Sequence, residues 1–107
     1  MNKIIDLQEK SDKLSSSICT LSKPFMLTKE HSQEIRQLLS SESDLRLGIE
    51  FITEGKTQKE LQENIILVKQ EADIILYTLI QLKKKQVKDI SPIIAEIEEI
   101  ISILNTL

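Results

Sequence analysis

The sequence predicts an all-α fold: a four-helix bundle made by a single domain spanning residues 1–107. Three observations predict it. Apolar residues recur in alternating steps of three and four through four separate segments, the seam spacing of packed helices. Only two Gly and two Pro occur in 107 residues, so breaks are few and the elements between them long. The apolar inventory is aliphatic, with 18 Ile and 15 Leu against two Phe, one Tyr and no Trp. A chain of this length can bury a core of its own, though a modest one.

The first segment covers roughly residues 3 to 21, with Ile4, Leu7, Ser11, Leu14, Ile18 and Leu21 in the seam. Its expected end is Ser22-Lys23-Pro24, because proline lacks an N–H and restrains the residue before it. The second segment starts after Pro24-Phe25-Met26-Leu27, with Thr28 as the expected N-cap and Glu30 in the first turn. Ile35, Leu38, Leu45, Ile49 and Ile52 carry its seam, and Glu42 takes one seam position. Ser and Asp side chains compete for backbone groups, so the run SSESD at 40–44 predicts a kink or brief break. Gly55 is the expected stop.

Thr57 to Glu60 reads T-x-x-E, a capping box that opens the third segment. The connection before it is short, so the second and third helices should form an antiparallel hairpin. Leu61, Ile65, Val68, Ala72, Ile75, Leu79 and Leu82 make an unbroken seam. Lys83, Lys84, Lys85 and Lys88 follow, where positive charge suits a helix C-terminus. The fourth segment begins with Ser91 as expected N-cap and Pro92 at the first helical position. Its apolar pattern runs through Ile93, Ile97, Ile100 and Leu104 to Leu107, and both leucines are expected to dock.

Charge and composition narrow the function classes. A net charge of −3 and a pI near 5.2 give no footprint for nucleic acid and no polybasic attraction to anionic lipid. No charge-free stretch has the length of a membrane span. Asp6 and Glu9 fall where a signal peptide would have its apolar region, and a single cysteine cannot form an internal disulfide. The expectation is a cytoplasmic protein with no membrane and no nucleic-acid partner.

One His and one Cys cannot build a zinc site alone. His31 reads as a solvated first-turn residue, and Cys19, beside seam residue Ile18, as a small buried filler. Gly48 and Gly55 are too far apart to cradle phosphate. Carboxylates are the remaining chemistry. The segment LTKEHSQEIRQLL (27–39) places Glu30 and Glu34 four apart on one helix face, and KQEADIILYTLIQL (69–82) carries Asp73. These two segments resemble the acidic motifs of the MazG-type all-α nucleotide pyrophosphohydrolases, E-E-x-x-E and E-x-x-D. Glu30 and Glu34 match the outer acids of the first motif, with His31 where its second Glu belongs. Asp73 matches the Asp of the second, with Gln70 in place of its Glu and Glu71 one position away. The resemblance covers about a third of the chain. It implies a Mg²⁺ site at Glu30, Glu34 and Asp73, and a degenerate pyrophosphohydrolase or nucleotide-binding relic that self-associates. The bland reading makes the same residues a solvated helix face, with Lys69 as a partner should Asp73 be partly buried.

Surplus apolar surface gives the other expectation. Once the third seam is filled, Ile66, Leu67, Ile74, Leu76, Tyr77 and Ile80 are left over. Leu39, Leu47 and Phe51 lie off the second seam, and Phe25, Met26 and Leu27 add to the total. Large apolar patches mark partners. This predicts a non-catalytic interaction module of the small chaperone, inhibitor, immunity or adaptor type, without a cofactor. A protein partner or a second copy, the latter making a homo-oligomer, would meet a surface that includes Ile66, Ile74, Tyr77, Ile80, Phe25 and Leu107.

Overall fold

A computed structural model describes residues 2–54 and 57–107. It contains α1 (Lys3–Thr28), α2 (Ser32–Glu54), α3 (Gln58–Lys84) and α4 (Ser91–Leu104), with no strand among the described residues. Each helix packs on its neighbours in chain order, and α4 closes the ring against α1, giving a body of 45 × 22 × 19 Å. The most extensive contact joins α2 and α3. Gly48 explains how close they come: a Cβ placed there would lie 2.5 Å from Val68 Cγ2. That approach needs a residue without a side chain.

The core is the set of seams. Leu7, Leu14 and Ile18 of α1 meet Leu38, Leu45 and Ile49 of α2, Val68, Ile75 and Leu79 of α3, and Ile97, Ile100 and Leu104 of α4. Thr57 caps α3, its hydroxyl accepting from the Glu60 N–H at 3.1 Å. Lys83 and Lys84 occupy the last turn of α3, as its dipole favours. Ion pairs and hydrogen bonds tie the helices at their edges. Lys10 reaches Glu99 at 2.9 Å, Ser17 donates to Glu96, and Lys85 bonds Glu34 across α3 and α2.

Several sequence expectations give way. Helix α1 does not stop at Ser22–Pro24 but runs through Pro24 to Thr28. The bond that Pro24 cannot make would go to the Thr20 carbonyl, and Thr20 is exposed, where solvent can take it. Phe25 continues the buried side after Ser22. The helix ends instead at Lys29, in the left-handed conformation, whose N–H closes onto the Phe25 carbonyl. Thr28 is therefore the last residue of α1 and not the N-cap of α2, although its hydroxyl still accepts from the Glu30 N–H at 3.3 Å. Residues 40–44 do not break α2. Ser41 and Glu42 are buried, so packing outweighs the weak local propensity, and within the helix Ser41 accepts from Gln37 at 2.8 Å. The residue before α4 is Ile90, buried and without a side-chain cap, so Ser91 is the first helical residue and not the cap. Leu104 docks fully but Leu107 is 36% exposed. Cys19 is exposed, not a core filler. The expected stop at Gly55 lies outside the described residues.

Candidate interaction surface and the acidic residues

Helix α3 has two faces that could each meet another helix. The inner face is the buried seam. On the outer face Ile66 is 54% exposed, Tyr77 56% and Leu67 58%, and Ile74 and Ile80 are each 38% exposed. Leu47 and Phe51 of α2 are also about half exposed. The alignment of the hairpin brings the two groups together. Gly48 lies against Val68, and Glu71 sits beside Ser41 and Asp44, so α2 and α3 run antiparallel with Leu47 and Phe51 at the level of Leu67. Farther along, Tyr77 and Thr78 face Gln33 and Gln37 across a shallow depression of about 200 Å³. The surplus apolar residues thus form a band on the outside of one hairpin.

Not every surplus residue joins that band. Leu39 and Leu76 are partly buried against the core. Phe25 is also tucked in, with its ring edge-on to His31 at a centroid distance of 5.5 Å. His31 is consequently half-buried in the connection before α2, at φ 54°, and not a solvated first-turn residue. Leu107 lies at the end of the chain beyond α4.

The acidic residues are spread out within one chain. Glu34 is held by Lys85, whose hydrogen bond keeps its carboxyl below the usual range. Glu30 lines a cavity at the other side of that connection. Asp73 is exposed on α3, twelve residues before Lys85, or about 18 Å along the helix axis. Among the described residues no three His, Cys, Asp or Glu side chains gather as a metal site would require. Because Asp73 is exposed, it has no need of Lys69 as a burial partner, and no ion pair joins them among the described residues. Its neighbour Glu71 behaves differently: burial raises its carboxyl, the Asp44 charge adds to that, and Ser41 opposes it.

One feature has no counterpart in the sequence reading. A cavity of about 860 Å³ opens between the end of α1 and the start of α4, walled by Leu21, Phe25, Val87 and Ile93, with Lys88, Glu30 and Asp89 at its rim. The loops beside it hold Lys29, His31, Gln86 and Asp89 at φ between 54° and 64°. None of these is glycine, the residue type that marks such turns most strongly. No helix among the described residues is long and apolar enough to cross a membrane. No family model, curated protein or solved structure matches this chain.

Proposed function

We propose that this chain is a non-catalytic protein-interaction module that works through the outer face of the α2–α3 hairpin. Its partner is a protein, and the simplest protein to fit is a second copy of itself, since like surfaces bury each other symmetrically. The observation that carries the reading is the apolar band itself. Ile66, Leu67, Ile74, Tyr77, Leu47 and Phe51 lie on one side of two adjacent helices while a complete core is already formed behind them. Side chains that add nothing to the core but share a face are what a docking surface requires. A chaperone, inhibitor, immunity or adaptor protein would use such a face in the same way. Binding of a hydrophobic dye tests the reading. Dye should bind the dilute protein, and the surface change Tyr77→Glu should reduce it without loss of helix content. If Tyr77→Glu unfolds the chain, the face belongs to the core and the reading fails.

A further inference from the structure

We infer that the partner on this face is a second copy of the chain, docked through an antiparallel pairing of α3 with its counterpart about a two-fold axis at Asp73. The inference rests on the interaction reading above and adds a register to it. The outer strip of α3 reads Glu63, Ile66, Gln70, Asp73, Tyr77, Ile80 and Lys84, and every one of these is exposed. Their steps are three, four, three, four, three, four, so the strip is a second helix-packing seam on the face opposite the core. Turned end for end about Asp73, its levels fall opposite one another to within one residue, about 1.5 Å along the axis. Reversed on itself about Asp73, it sets Glu63 against the second copy's Lys84, Ile66 against Ile80, and Gln70 against Tyr77.

That register makes chemical sense at each level. The two ends carry opposite charges, so the antiparallel arrangement forms two identical ion pairs, whereas a parallel one would oppose Glu63 to Glu63 and Lys84 to Lys84. Between the ends and the middle fall the apolar Ile66–Ile80 layers and the mixed Gln70–Tyr77 layers. With Leu67, Ile74, Leu47 and Phe51 beside them, Ile66, Tyr77 and Ile80 make seven exposed apolar side chains on this hairpin. Asp73 then meets its own copy at the axis. Like charges there weaken the dimer, and a polar residue placed in a helix seam is a known way to fix register at a cost in affinity.

The test is a dilution series in the analytical ultracentrifuge on the full chain, with circular dichroism to confirm that each exposed variant is folded. Glu63→Lys and Lys84→Glu should each raise the dimer dissociation constant by about tenfold, as two repulsive contacts replace two attractive ones. An equimolar mixture of the two variants should recover the wild-type constant, because each then faces its opposite. Asp73→Asn should tighten the dimer severalfold. A dimer that responds to Tyr77→Glu but to neither charge reversal overturns the α3 register and leaves the interaction face standing. A monomer at every concentration that still binds dye through this face overturns the second copy as occupant. A monomer whose dye binding ignores Tyr77→Glu overturns the face as well.

Discussion

The inner and outer seams of α3 share a helix and a spacing but differ in what fills them. The inner one is Leu61, Ile65, Val68, Ala72, Ile75, Leu79 and Leu82, apolar throughout, and all but Leu61 are buried. The outer one mixes Ile66, Tyr77 and Ile80 with Glu63, Gln70, Asp73 and Lys84. Spacing says that a face can meet another helix. Composition says on what terms. A face apolar at every level must be covered for the chain to fold, whereas one with polar levels can also stand in water. The first builds the bundle, and the second suits association that can be reversed.

Breaking the inner seam should have the largest effect. Leu79 is fully buried, and Leu79→Ala should lower unfolding free energy by about 2–5 kcal/mol, measured by chemical denaturation. Gly48→Ala comes next. It improves helix propensity, yet the new methyl would press into Val68, so we expect a loss of about 1–3 kcal/mol where propensity alone predicts a gain. Glu42 sharpens the contrast from the other side, as a carboxylate on a buried face. Among the described residues its Oε1 has no hydrogen-bond partner, and the Arg46 Nε stands 3.4 Å away. Glu42→Leu should raise stability by about 1–3 kcal/mol, because an apolar residue of similar reach removes a poorly compensated group.

The Glu34–Lys85 pair gives a smaller effect with a definite pH sign. Lys85 lowers the Glu34 carboxyl below its ordinary 4.5, so the pair stabilises the fold above that value. Its contribution is lost as pH falls through the lowered folded value. Both groups are partly solvated, so Lys85→Met should cost less than ~1 kcal/mol at neutral pH. It should also flatten the acid limb of the stability curve relative to wild type. Glu71 works in the opposite direction: its raised carboxyl takes up a proton earlier in the folded state, favouring the fold slightly as pH drops.

Much of the architecture was legible because seams are long and redundant. All six polar or apolar seam residues read in α2, including Glu42, are buried, and Thr57 caps α3 through the Glu60 N–H. Single-residue punctuation was less reliable. Pro24 and the 40–44 serines predict breaks from local cost alone, and each is outweighed by packing, of the partly buried Phe25 in one case and the buried Ser41 in the other. Cys19 lies next to the buried Ile18 in sequence, yet adjacent residues on a helix point about 100° apart, and the thiol is exposed. The outer band on α3 could be read as surplus residues, but its alignment with Leu47 and Phe51 needed the hairpin register. The cavity between α1 and α4 could not be read at all. It depends on left-handed turns at Lys29, His31, Gln86 and Asp89, which are ordinary residues in sequence.

Of the substitutions considered, Tyr77→Glu should have the smallest effect on folding and the clearest effect on assembly. Its ring is more than half exposed, so the folded chain should lose no more than about 0.5 kcal/mol. The most direct test of the account is the mass of the wild-type chain and this variant, compared by light scattering coupled to size exclusion across a dilution series. The account predicts a wild-type dimer that dissociates on dilution, and a folded Tyr77→Glu monomer at the same concentrations. Identical masses for the two chains at every concentration would contradict it.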